Sequence, residues 1–413
     1  MNAHFSNRLR TKDYCFTNNK ILTPFTKFSL KFYNRLEKHW FPGPVGIDAA
    51  LLDDEKLRFH HRAGGRYLIP WKISLIFCTG FGVVIPSFYN LLYLDSGHPS
   101  KSFSTLEKSF QILYIMIGIA LLAGSYLTLN CPESIDAVNK IIALNHPQQK
   151  QRFAEAAMLL PREIDTTGMA STIFCLTCWL PTYVISFVAI VIKTDALSYI
   201  LPQPQYNQQI LSIFAYLLNF AVRFVVLISF SNDSCRQFLL LAVIHSMYLK
   251  TSVKLLRILH LSLNTRSERF VHRAYTYIQI ISKIAGNFPK NFRVLFIAFT
   301  QCWLTILGWN IINYWGAIYA FFSISFLVML VNGLFTYTAI ISYWATAWKL
   351  SLRIVVNRKR RYYSKNKVMH SSWNATPGLK ICCGDFFTFE NDAPALYILY
   401  LTSNIVDMVM LFP

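Results

Sequence analysis

Long apolar runs alternate along the chain with short basic ones, and the apolar runs have the length of membrane-spanning helices. Ile73–Leu94 is 22 residues without a charge, enough to cross a hydrocarbon core of about 30 Å. Pro86 lies inside it and is expected to kink the helix. Phe110–Leu129 and Thr172–Ile192 are charge-free as well. Ile210–Phe230 is apolar except for Arg223, and a second apolar stretch, Phe238–Tyr248, follows closely. Asn232, Asp233 and Arg236 between the two favour one long helix over two separate spans. Val294–Trp348 runs 55 residues with no charge. That is too long for one crossing and right for two, with a fold-back at Asn313-Tyr314-Trp315-Gly316. Ala393–Phe412 is the last run, and it contains Asp407.

The pattern predicts an all-α, polytopic membrane protein with seven transmembrane helices. The spans are 73–94, 110–129, 172–192, 210–230 extended to 248, 294–314, 319–344 and 393–412. A polar region, residues 1–66, precedes a seven-helix domain, residues 67–413. Residues 1–66 show no short apolar stretch with a cleavage site after it, so the first span is expected to insert on its own.

Composition agrees with the pattern. Apolar residues make up 54% of the 413 and charged residues 15%, against about 25% charged in a typical soluble protein. The formal net charge of +20 would point to nucleic acid in a soluble chain. The location of the charges removes that reading. The segments 1–66, 131–171, 249–293 and 345–384 carry 34 Lys and Arg, and the segments on the opposite side carry only Lys101, Lys108 and Lys193. Basic residues collect on the cytoplasmic side. The N-terminus is therefore expected in the cytoplasm and, after seven spans, the C-terminus outside. This is the reverse of a G-protein-coupled receptor, and no nucleic-acid partner is needed.

With this topology the chain resembles the arthropod gustatory/odorant receptor superfamily. The length, the long fourth helix, the near-absent outer loop between spans 5 and 6 and the stop just after span 7 all carry the resemblance. Leu379-Lys380-Ile381, the turn Gly384-Asp385-Phe386-Phe387 and the span Ala393–Phe412 match the end of the family pattern. Glu133-Ser134-Ile135-Asp136 and Asn139 resemble its first inner loop. The family's Thr-Tyr and Gln in the last span are replaced here by Ser403-Asn404 and Met410, which marks a divergent, gustatory-type member.

The resemblance implies a chemosensory receptor of the plasma membrane. It implies a cation channel gated by small molecules and assembled as a homo- or hetero-tetramer of like subunits. It also implies that the last span lines a central pore. Asn404, Asp407 and Leu411 then fall at pore and gate positions, with Asp407 and Leu411 one turn apart on one face. Four carboxylates would select cations, and an apolar ring would close by dewetting. Read without the resemblance, Asp407 lies near enough to the last residue to reach the outer headgroups instead. The family's ligand pocket lies among the outer halves of spans 2–6. Aromatics concentrate there: Tyr114, Tyr183, Phe187, Phe214, Tyr216, Trp303 and Trp309, with Tyr314, Trp315 and Tyr319 nearest the fold-back. Apolar concave sites with few polar groups bind small molecules, while for any single aromatic among them packing or an interfacial belt is the better reading.

Other chemistry is thin. Arg223 is expected to pair with Asp233, Asp407 or a lipid phosphate, to snorkel, or to form a buried structural pair. Cys175-Leu176-Thr177-Cys178 has redox-type spacing but lies in an apolar span, so two core thiols are expected. Cys382-Cys383 suits acylation or burial. Arg358-Lys359-Arg360-Arg361 suits anionic lipid or topology alone. No metalloprotease, hydrolase or phosphate-loop motif is present, so no catalytic, metal or cofactor site is expected. A transporter is the alternative function, disfavoured by the lack of an internal repeat. A metabotropic seven-helix receptor is the other, disfavoured by the charge asymmetry.

Overall fold

A computed structural model describes residues 23–39, 42–48, 57–62, 65–95, 105–130, 132–144, 193–201, 209–263, 268–285, 287–313, 346–360, 367–379 and 393–411, with shorter pieces of 165–191, 343 and 382–388. Among the described residues the fold is all-α apart from two small hairpins. Helix α1 is Pro24–His39, and strands β1 (Val45–Ile47) and β2 (Phe59–His61) pair antiparallel after it. Helix α2 covers residues 69–95, α over Ile69–Ser74, π over Leu75–Val84 and α again over Ile85–Asp95. Then come α3 (Thr105–Asn130), α4 (Pro132–Leu144), α5 (Gln209–Leu261), α6 (Glu268–Ala285) and α7 (Asn287–Asn313). Helix α8 is Lys367–Ala375, and β3 (Cys382–Cys383) pairs with β4 (Phe387–Thr388) ahead of α9 (Ala393–Leu411).

Four helices among the described residues are long and apolar enough to cross a membrane, in 69–92, 107–130, 213–261 and 293–313, and a shorter apolar helix spans 395–411. The chain is a polytopic all-α membrane protein. Every described residue between 168 and 191 is helical. The fold-back at 314–319 lies outside the described residues, as does most of the run 319–344.

Two helices differ from the sequence pattern. The π segment of α2 ends two positions before Pro86. Proline supplies no N–H and crowds the preceding turn, and a widened π turn accommodates both effects without breaking the rod. Helix α5 runs 53 residues without a break, well past Tyr248. At 1.5 Å per residue it is about 80 Å long, more than twice a hydrocarbon core. Burial divides it. From Ile213 to Val225 most apolar side chains are bare, whereas nearly all of them from Leu239 to Leu259 are buried. The first part is built for lipid and the second for protein.

That second part organises the main hydrophobic core. Leu30 and Tyr33 of α1, Val45, Ile47 and Phe59 of the hairpin, Ile135–Ile142 of α4, Val271–Ile281 of α6, Ile354 and Trp373 all pack around it. The polar N-terminal region thus contributes to the same core as the helices. Asn139 fixes the hairpin, accepting from Phe59 N at 2.9 Å and donating to Phe59 O at 2.6 Å. Asp165 lies beside Lys250 of α5 at 2.7 Å, accepts from Gly168 N at 3.1 Å in the manner of a helix cap, and is hydrogen-bonded to Thr23. Burial alone would raise its pKa, but Lys250 and these hydrogen bonds hold it below the ordinary carboxylate value. Arg358 turns inward, away from the lipid role open to its basic run. It is buried 5.7 Å from the centroid of the Trp373 ring and pairs with Glu268 at 3.4 Å. Cys175 and Cys383 are buried free thiols, and Cys178 lies outside the described residues.

Helix α2 approaches α3 closely at Gly118 and α5 closely at Gly82. A methyl group built on Gly118 would overlap Val84 Cγ2, and one on Gly82 would come within 2.6 Å of Val226 Cγ1. Alanine is favoured over glycine in helices by about 1 kcal/mol, but overpacking against a short branched side chain costs about 1–3 kcal/mol. Gly118→Ala is therefore expected to lower the thermal unfolding midpoint of the detergent-purified protein. An unchanged or raised midpoint would show that α2 and α3 separate freely.

Candidate ligand site and the last helix

A buried polar cluster lies at the 193–201 end of the membrane-spanning bundle. Lys193 takes a left-handed conformation, φ 58°, and starts a compact turn. Thr194 N donates to Ala189 O at 2.9 Å, and Ser198 Oγ bridges Lys193 O and Asp195 O at 3.0 and 2.8 Å. Three spans hold this turn. Asn90 of α2 donates to Ala196 O at 2.9 Å, and Gln111 of α3 donates to Thr194 O at 3.1 Å. Asn90 and Gln111 also join each other at 3.2 Å. Arg223 of α5 binds Asp195 through both Nε and Nη2, and its Nη2 also donates to Ile190 O at 3.3 Å.

Asp195 is 1% exposed and Arg223 is buried with it. Arg223 is thus in a buried structural pair rather than with Asp233, Asp407 or lipid. Asp233 has its own partners, Arg236 at 2.9 Å and Ser74 at 3.1 Å. The sequence held one signal for Asp195, since it is the only acid between residues 166 and 232.

Below the turn, Tyr114 joins three apolar clusters. It packs with Val83, Ala196 and Phe230 on one side, with Phe110, Leu113 and Ile306 on another, and with Ala189, Ile190 and Leu227 on the third. Its ring meets Phe230 edge-on at 6.3 Å. Trp303 of α7 shares the second cluster and contacts Phe299 edge-on at 5.0 Å. The indole N–H of Trp303 is buried and has no acceptor among the described residues. Phe187 reaches the third cluster through Phe220, edge-on at 6.1 Å.

The structure therefore brings Tyr114 and Trp303 around one region, while Phe187 is 50% exposed and reaches it only through Phe220. Trp309 is buried further along α7. Tyr183 is exposed, and Phe214 and Tyr216, 70% and 61% exposed, stand on the bare part of α5. Asn90, Gln111 and Asp195 are polar members that the aromatic pattern did not single out.

The last helix, α9, packs on α7 through Tyr397 and Leu401, both buried. Asn404 is half-buried one turn on. Asp407 is exposed, as are Tyr400, Ser403 and Leu411. At 3.6 residues per turn these four make one stripe, which runs beside the Tyr397–Leu401 face. At its start the helix is tethered, because Asp385 in the β3–β4 turn pairs with Lys290 and Arg293 donates to Cys382 O.

Comparison with solved structures decides the fold. The chain aligns with the structure of the insect olfactory receptor OR5 from Machilis hrabei, in complex with eugenol, at a TM-score of 0.58 and 10% identity, covering 93% of this chain and 98% of that one. This chain has the insect olfactory-receptor fold. No protein-family model and no curated protein matches the sequence. The likeness thus lies in architecture, which is where the sequence resemblance also lay.

Proposed function

We propose that this protein is a divergent, gustatory-type member of the insect odorant/gustatory receptor superfamily. It works as a ligand-gated cation channel of the plasma membrane, with the N-terminus inside and the C-terminus outside. Four like subunits surround a pore lined by α9. The 34-to-3 distribution of basic residues supports the topology. The bare stripe of α9, with Asp407 in its middle, supports its role at an axis.

One observation carries the ligand site. Trp303 presents a buried N–H with no partner among the described residues, in the apolar cluster that Tyr114 also joins. Buried donors normally have partners. A small, largely uncharged molecule with an oxygen acceptor would complete this one, and the solved olfactory receptor holds a small aromatic molecule, eugenol.

Whole-cell currents from cells expressing the chain, recorded against a panel of small aromatic ligands, test this reading. Trp303→Phe keeps an apolar ring and removes the donor. A net hydrogen bond is worth about 1 kcal/mol, so half-maximal concentrations for oxygen-bearing ligands should rise about five- to tenfold at equal surface expression. Unchanged dose–response curves would place the ligand elsewhere.

A further inference from the structure

The α2 side of Tyr114 carries a second set of incomplete polar groups. Val83, Ser87 and Asn90 fall on one face of α2 at successive turns, and all three are buried. Val83 packs in the Tyr114–Phe230–Ala196 cluster. Asn90 uses both amide hydrogens, one on Gln111 Oε1 and one on Ala196 O. A backbone carbonyl such as Ala196 O can only accept, so the nitrogen must face it, and this orients the amide. Its Oδ1 is then left buried without a partner among the described residues. Ser87 Oγ is in the same condition. A serine inside a membrane helix ordinarily bonds back to the carbonyl four residues before, as Ser234 does to Phe230 O at 2.8 Å. Ser87 makes no such bond.

The level of Ser87 follows from the antiparallel packing of α2 and α3. Val84 lies against Gly118 and Asn90 against Gln111. Ser87 lies midway between these contacts, level with Tyr114. Three residues of helix separate Ser87 from Asn90, a rise of about 4.5 Å. One hydroxyl group placed between them donates to Asn90 Oδ1 and accepts from Ser87 Oγ–H, which completes both. An ether oxygen in the same place can accept from Ser87 but leaves Asn90 Oδ1 unmet.

We infer that Ser87 and Asn90 form a seat for a ligand hydroxyl, so that the apolar region at Tyr114 takes small alcohols or phenols in preference to their ethers. The inference rests on the ligand-site reading above and names the class of molecule that the site accepts. Val83, one turn from Ser87, and Trp303 belong to different clusters that both take in Tyr114, so one molecule filling the region would meet both polar groups.

The test is direct binding to the full-length protein in lipid nanodiscs, by calorimetry, which needs no channel current. The probes are matched pairs: benzyl alcohol and benzyl methyl ether, 2-phenylethanol and its methyl ether, eugenol and methyl eugenol, 1-hexanol and methyl pentyl ether. The alcohol or phenol of a bound pair should bind about tenfold tighter than its ether, a difference of one hydrogen bond. Ser87→Ala removes the donor that both members of a pair use, so it should weaken alcohol and ether alike by about five- to tenfold and leave the preference, which Asn90 Oδ1 sets, in place. Ser87→Cys, close to serine in shape and a poor hydrogen-bond partner, should do the same should the alanine variant fail to fold. Equal binding of alcohol and ether by the unmodified protein would overturn the seat and would leave the ligand-site reading standing. Unchanged affinity of both pair members in both variants would also overturn it, because the ligand oxygen then meets another group. Binding of no pair member would overturn the seat and the ligand-site reading together.

Discussion

Arg223→Met is expected to remove most of the folded protein from the cell surface. Arg223 and Asp195 are both buried, and their contact is bidentate. Removing one partner of such a pair leaves an uncompensated charge, at a cost of about 3–5 kcal/mol. Total stabilities are about 5–15 kcal/mol, so the loss is a large share of the whole. The damage spreads because the pair anchors the 193–201 turn, on which Asn90 and Gln111 also depend. Asp195→Asn combined with Arg223→Met removes both charges and should recover much of the surface population, as buried pairs replaced together are often neutral. Surface biotinylation and size-exclusion profiles of the two variants make the comparison. Normal surface levels of Arg223→Met alone would show that Asp195 is solvated.

How much of this was legible in the sequence depends on the distance over which each feature is decided. The spans are decided locally, by apolar runs long enough for a bilayer, and α3, α5 and α7 lie where those runs lie. The partner of Arg223 is decided by the packing of a turn 28 residues upstream, and an apolar-run pattern carries no such information. The rotation of α5 was equally hidden. Its first turns are apolar all round, so no periodicity showed that Phe214 and Tyr216 would stand bare while Arg223 and Leu227 turned inward. The core contribution of residues 24–62 was masked by composition. A few apolar side chains, Leu30, Val45, Ile47 and Phe59, do the packing within a segment that is otherwise polar and basic. Asn90, Gln111 and Ser87 were visible as lone polar residues in apolar spans, but their use depends on the register of α2 against α3.

Asp407→Lys is expected to abolish cation current while leaving surface expression and ligand binding in place. On α9 the contacts to the rest of the chain run through Tyr397 and Leu401, one to three turns before Asp407. Asp407 itself is exposed, so the substitution breaks no buried contact and its effect on folding should be small. Its effect on conduction should be large if the stripe faces an axis, since in a symmetric tetramer every axial residue appears four times. Four carboxylates at one level attract cations and repel anions, and four ammonium groups reverse the sign of that field. Asp407→Asn separates charge from shape: it should reduce conductance or shift selectivity without inverting it. Leu411→Ala, one turn further on and 71% exposed in the single chain, removes apolar bulk from the dewetting ring and should raise ligand-independent current. Reversal potentials in exchanged salts distinguish these outcomes. Unaltered cation selectivity in Asp407→Lys, at normal surface level, would place the bare stripe of α9 against lipid and would leave the fold without a pore on this helix.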